Sequence, residues 1–199
     1  MDSTEYEKLR KSITACLESS LKESRIAHTR SVARLAAEMA RRYGADRQKA
    51  ELAALLHDMV RNIGVPASNM YVKYLGLPER YLDNINLAHG KIAAELARSE
   101  FGIEDEEILN AVSYHTTGRA GMSLLEKIVF LADAIEPLRD YPGVDRIRAR
   151  AEESLDAACI EALRGTMEHL KANGIPVDRD TADAYKFLVR NQDETEQKG

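Results

Sequence analysis

The amino-acid sequence predicts an all-α protein. Apolar residues recur at the three- and four-residue spacing of a helical face over most of the chain. No stretch shows the β-branched alternation, bounded by turn residues, that a strand needs. Glycine and proline fall between the periodic segments, where they stop helices. A first amphipathic helix covers about residues 4 to 23. A second, from about His28 to Tyr43, sets Val32, Leu35, Ala36, Met39 and Ala40 on one stripe with His28 at its head, and Gly44 is its stop signal. The third runs from about Asp46 through Leu52, Ala53 and Leu56 to His57, and Asn62-Ile63-Gly64-Val65-Pro66 breaks it. Short helices fill residues 67 to 83 around Gly76 and Pro78. The next starts near His89, turns Ile92, Ala93, Leu96 and Ala97 inward, and ends near Phe101-Gly102. Another, about Glu104 to Tyr114, places Ile108, Ala111 and Val112 on the face that His115 continues. After Thr116-Thr117-Gly118-Arg119-Ala120-Gly121 comes a strongly apolar helix, Leu124 to Ile135, which Pro137 follows. Residues 145 to 173 read as one long helix and 178 to 190 as the last, and the polar end of the chain is expected to fray.

At 199 residues and 44% hydrophobic composition the chain can build one compact domain with a real core, and two would be crowded. The expected organisation is an N-terminal helix over residues 1–24 packed on a core domain over 25–190, with a flexible tail over 191–199. A net charge of -5 without a long Lys/Arg run argues against a surface that holds nucleic acid through its phosphates. A local basic pocket for a small polyanion is compatible with it. Cys16 and Cys159 form no CxxC pair, so they indicate neither a disulfide framework nor a thiolate metal site. The charged first twenty residues are no secretory signal, and no apolar run reaches membrane-spanning length. A reducing cytoplasm is the expected compartment.

Four of the five histidines, His28, His57, His89 and His115, lie three or four residues from apolar helical positions. An imidazole on an inward face must satisfy its ring nitrogens, and shared metal coordination satisfies several at once. Singly, such a histidine is more often a satisfied core residue. Four of them together with Asp133, an acid within Leu131-Ala132-Asp133-Ala134-Ile135 that follows Ile128, Val129 and Phe130, reverse that reading. A lone His57-Asp58 pair is weak evidence by itself. On a helix, however, adjacent residues point about 100° apart, and a carboxylate can bridge two cations, which makes Asp58 the candidate bridge. His28 and Asp133 are then expected on one metal, and His89 and His115 on the second. Mixed nitrogen and oxygen ligation with positions left for water suits iron first and manganese second.

Two cations about 4 Å apart acidify a water between them and neutralise charge on a phosphoryl oxygen, so phosphate-ester or phosphoanhydride hydrolysis is the chemistry expected. Arg61 falls on the face of Asp58 if the helix continues, and its guanidinium would hold the attacked phosphate or the leaving group. A helix C-terminal cap is the plainer reading of Arg61. His169 lies one position off the Leu163, Met167, Leu170 stripe, which places it outside the metal set and at the border of a ligand pocket.

With these positions in hand, the chain resembles the HD-domain metal-dependent phosphohydrolases, whose pattern is a His, a His-Asp pair and a distal Asp on separate helices. His28, His57-Asp58 and Asp133 match it in order. More narrowly the chain is similar to the YqeK family of symmetrical bis(5'-nucleosyl)-tetraphosphatases, over about Arg25 to Tyr185. The most specific segments are His115-Thr116-Thr117-Gly118, Glu126 through Asp133, and Glu136-Pro137 with Arg139. Val177 stands where the family usually has Pro, and Arg61 where it often has Lys. The resemblance implies symmetrical hydrolysis of diadenosine tetraphosphate to two ADP, with His28, His57, Asp58, His89, His115 and Asp133 holding two irons. It also implies a nucleotide site lined by Arg25, Thr116, Arg139 and the segment from Thr166 to Lys171 with His169, beside His28 and Asp133. A homodimer is compatible with it. The alternatives are an HD nucleotidase or phosphodiesterase acting on another nucleotide, a nucleotide-binding module without turnover, and a purely structural helical domain.

Overall fold

The computed structural model describes residues 2–196. Among them the chain forms α1 (Ser3–Ser20), α2 (Glu23–Tyr43), α3 (Arg47–Leu56), α4 (Gly64–Tyr74), a short 3₁₀ turn (Glu79–Tyr81), α5 (Ile85–Phe101), α6 (Glu106–Tyr114), α7 (Leu124–Ile135), α8 (Val144–Glu153), α9 (Leu155–Ala172) and α10 (Arg179–Glu196). No strand occurs among the described residues, so the all-α expectation holds.

Side-chain caps set most helix starts. Asp2, Asp46, Asn84, Asp105, Ser123 and Ser154 each accept a backbone N–H of the first turn that follows, which satisfies a donor without an intrahelical partner. Gly44 ends α2 in the left-handed conformation at φ 76°, which explains why the stop signal lies there.

Helix α7 is the hub. It packs against α2, α3, α6, α8 and α9, and α10 lies on α9. Its Leu125, Ile128, Val129, Phe130, Leu131, Ala132 and Ile135 are buried. Ile128 and Leu131 are wholly so, each stabilising the fold by about 1.5–3 kcal/mol through transfer from water. An apolar helix at the centre is what its sequence asks for. Helix α1 rests on α2, α3 and α5 through Tyr6, Ile13 and Leu17.

Several boundaries differ from the sequence expectation, among them the start of α5, which begins at Ile85, a turn before His89. Helix α2 begins at Glu23, so His28 stands inside the helix and not at its head. Helix α4 begins at Gly64 and contains Pro66, because a helix's first turn tolerates a residue without an N–H. The long helix expected over 145–173 is two helices that pack on each other, broken at Ser154, whose backbone is extended at φ -150° and ψ 121°. Buried Val144, Ile147, Ala151, Leu155, Ala158 and Ala162 keep helical spacing across that break, so periodicity alone could not reveal it. Helix α10 runs to Glu196, past the expected end at 190, and residues 197–199 of the expected tail lie outside the described residues.

Candidate metal centre

Five elements converge on one buried cluster. His28 comes from the second turn of α2, His57 and Asp58 from the C-terminal end of α3, His89 from α5, His115 from the end of α6, and Asp133 from α7. After Leu56 the α-helix gives way to tighter turns, with Met59 N–H donating to Leu56 O and Arg61 N–H to Asp58 O. Those turns keep Arg61 beside Asp58, its Nε 4.0 Å from Asp58 Oδ1, although α3 itself does not continue.

The two oxygens of Asp58 look in different directions. Oδ2 lies 3.5 Å from His57 Nε2 and 3.8 Å from His28 Nε2. Oδ1 lies 3.1 Å from His89 Nε2 and 4.0 Å from His115 Nε2. Asp133 Oδ1 closes the first side, 3.0 Å from His28 Nε2 and 3.8 Å from His57 Nε2. Ligand atoms of His28, His57 and Asp133 lie within 4.8 Å of one another, as do those of His57, Asp58 and His115.

The other ring nitrogen of each histidine fixes its tautomer. His57 Nδ1 contacts Ala54 O at 2.6 Å, His89 Nδ1 contacts Ile85 O at 2.9 Å, and His115 Nδ1 contacts Val112 O at 2.7 Å. His28 Nδ1 contacts the buried Glu136 carboxylate at 3.0 Å. Carbonyls and carboxylates only accept, so each Nδ1 carries a proton, and each ring turns its Nε2 into the cluster. The consequence is a pocket short of a cation. The Nε2 of His57 is buried without a hydrogen-bond partner, and that of His28 meets only the Asp133 carboxylate, 3.0 Å away, a contact that needs a proton or a cation between the two. Those of His89 and His115 face each other at 2.9 Å, an approach that repels unless a cation or proton lies between. This donor set fits metal ions of the kind that take imidazole and carboxylate together.

Electrostatics agree. Burial opposes ionisation of Asp58, but His57, His89 and His115 outweigh it and hold the carboxyl far below its usual range. Asp133 is likewise held down against burial by the hydrogen bond to His28 and by the charges of His57 and Arg139. Burial and the adjacent His89 and His57 push His115 down to about 3, which keeps it neutral for ligation. Burial also disfavours a charged His57, yet Asp58 and Asp133 raise it. The carboxylates therefore draw a proton to the position a metal would take.

Of the other predicted residues, Arg25 donates to Asp58 Oδ2 at 2.7 Å. Arg139 holds Asp133 through Nη2 to Oδ1 at 2.5 Å and Nε to the backbone O at 2.9 Å. Thr116 places its hydroxyl 3.0 Å from His115 Nε2 and 3.4 Å from His89 Nε2. Thr166, His169 and Lys171 are not brought in: they stand exposed on α9, and their side chains make no hydrogen bond or ion pair to the cluster. Sequence reasoning missed Glu136, which orients His28, and Gly90. A Cβ at Gly90 would come within 3.0 Å of the Val112 and Ser113 carbonyls and 3.2 Å of the His115 ring, so only glycine lets α5 approach α6 this closely. A glycine at helical spacing beside a histidine was the available signal.

The family model of the HD domain matches residues 25–138. The symmetrical bis(5'-nucleosyl)-tetraphosphatase of Bacillus subtilis is 41% identical over 90% of this chain and 97% of its own length. The protein so named from Halalkalibacterium halodurans is 41% identical over 86% of this chain and 92% of its own. Among solved structures, a protein of Clostridium acetobutylicum described as a predicted HD superfamily hydrolase involved in NAD metabolism superposes with a TM-score of 0.87. It is 35% identical and is covered over 97% of its chain, against 91% of this one. No helix among the described residues is long and apolar enough to cross a membrane. Shared sequence over nearly the full length, together with the HD match across the helices that carry the cluster, makes this chain a member of the symmetrical bis(5'-nucleosyl)-tetraphosphatase family of HD-domain hydrolases.

Proposed function

We propose that this protein hydrolyses diadenosine tetraphosphate symmetrically, releasing two ADP, at a centre of two metal ions, iron by preference and manganese as the alternative. The observation that carries the reading is the placement of Asp58, with one oxygen toward His28 and His57 and the other toward His89 and His115. When bound, the ions would acidify a water and draw charge from the attacked phosphoryl group. His28, His57 and Asp133 would hold one, His89 and His115 the other, and Asp58 both.

The residues around them are suited to a polyphosphate. Arg25, Arg61 and Arg139 balance Asp58, Asp133 and Glu136 in formal charge, so two divalent cations leave the pocket strongly positive. Arg61 makes no closer ion pair than its 4.0 Å approach to Asp58, which leaves its guanidinium fork free for a phosphate. Arg25 and Arg139 hold the carboxylates of Asp58 and Asp133 in place, and each guanidinium has N–H groups beyond those bonds for a phosphate. Thr116 donates its hydroxyl on the His89–His115 side. Thr166, His169 and Lys171 are assigned to the outer end of the nucleotide site, where α9 would meet the nucleoside remote from the ions. The cytoplasm and a homodimer complete the reading.

The test is chromatography of the products formed from diadenosine tetraphosphate by iron- or manganese-loaded protein. ADP alone is expected. AMP with ATP would contradict symmetrical cleavage, and no turnover would remove the substrate assignment.

A further inference from the structure

The segment that joins α7 to α8, Glu136-Pro137-Leu138-Arg139-Asp140-Tyr141-Pro142-Gly143, has no regular structure yet is tied at many points. Leu138 N–H donates to Glu136 Oε2 at 2.8 Å, and Arg139 N–H to Glu136 O at 2.9 Å. Arg148 reaches back from α8 and donates to the carbonyls of Ile135 and Glu136 at 2.9 Å and of Arg139 at 2.8 Å. The Tyr141 hydroxyl donates to Ala134 O at 3.0 Å, which fixes the ring against the end of α7.

Two large apolar side chains nevertheless face solvent from this fixed loop: Leu138 is 62% exposed and Tyr141 38%. A scattered exposed leucine needs no explanation. Here the two flank Arg139, whose guanidinium is held by Asp133, a carboxylate of the metal centre. A rigid loop that already presents its contact groups loses little freedom when a ligand settles on it. Its pattern, a cation between an aromatic ring and an aliphatic side chain, matches one phosphate with its nucleoside.

We propose that Leu138 and Tyr141 form a platform on which one nucleobase of the substrate stacks, while Arg139 between them meets the adjoining phosphate. The proposal rests on the nucleotide reading of the site given above. A phosphate held on the His28 and Asp133 side of the cluster brings its nucleoside across this loop, and an aromatic face accepts any base without reading its edges. Leu138 and Tyr141 are thereby specificity residues that distinguish a nucleotide from a bare polyphosphate.

The experiment compares ADP with inorganic pyrophosphate, which carries the phosphates without the base, by calorimetric titration of metal-loaded wild type, Leu138→Ala, Tyr141→Ala and Tyr141→Phe. Tyr141→Ala is expected to weaken ADP about tenfold, within the range for base–aromatic stacking, Leu138→Ala is expected to weaken it by a smaller factor, and both should leave pyrophosphate affinity as in the parent. ADP affinity should return in Tyr141→Phe, which keeps the ring. In turnover of diadenosine tetraphosphate the alanine variants should raise KM more than they lower kcat. Equal weakening of ADP and pyrophosphate would overturn the proposal, since it would mean the loop had merely been distorted. Unchanged ADP affinity would overturn it too, including the case in which the variants instead shift a dimer to monomer in sedimentation. If wild type does not cleave diadenosine tetraphosphate but the alanine variants still lose ADP selectively, the platform stands and the substrate assignment alone fails.

Discussion

Asp58 cannot be replaced by any residue with a single donor atom, because its two oxygens face two different sets of imidazoles. Asp58→Ala should therefore release metal at both positions and abolish turnover, as read by metal analysis of the purified protein. Asp133→Asn keeps the volume and loses the charge, so it should weaken metal retention at least tenfold while the circular dichroism spectrum stays that of the parent. Similar retention in Asp133→Asn and the parent would remove Asp133 from the site. The four imidazoles were legible in the sequence because each continues an apolar helical face, and Asp133 because an acid in an apolar helix needs partners. Glu136 was not legible as an orienting group: directly before Pro137, it looks like any loop acid. Only the fold shows that it is 1% exposed and in contact with a ring from α2, more than a hundred residues earlier.

Helix order and most helix ends could be read from periodicity, caps and the glycine stops. The α8–α9 junction could not, since the buried face keeps its spacing through Ser154. What breaks the helix there is local chemistry: the Ser154 hydroxyl accepts the Ala157 N–H at 3.3 Å, and a serine serves better as a cap than as an interior residue. Ser154→Ala should cost about 1 kcal/mol of stability through the lost cap, measured as a lower urea midpoint at unchanged slope. An unchanged midpoint would assign the break to packing alone. Arg61 was expected beside Asp58 only if the third helix continued past His57; it does not, and tight turns keep Arg61 near the carboxylate instead.

For the molecule as a whole, the all-α class followed from the pattern of apolar residues, whereas the meeting of five elements at one point did not, because it depends on crossing angles that no single segment encodes. The two thiols report on the integrity of that packing. Cys159 lies wholly buried on α9, and burial pushes its thiol well above the ordinary range, while Cys16 is partly exposed. A thiol reagent at pH 8 should label Cys16 and spare Cys159 until the fold opens, as mass spectrometry of the native and urea-unfolded protein would show. Because the folded thiol titrates higher than the unfolded one, its contribution to stability is complete below about pH 8.5 and falls as the pH rises beyond it. Equal labelling of both cysteines in native protein would contradict the packing of α9 on α7.

Three of the four imidazoles are steered by a carbonyl one turn back in their own helix, so their aim survives any change that leaves that helix end formed. His28 alone depends on a distant partner, Glu136, and through it on the tethers of Arg148. The imidazoles are thus unequally anchored, and if two ions bind as proposed, a chelator titration should remove the one on the His28 and Asp133 side first. Damage anywhere along the loop from Ile135 to Gly143 would be felt as partial occupancy long before the bundle itself came apart.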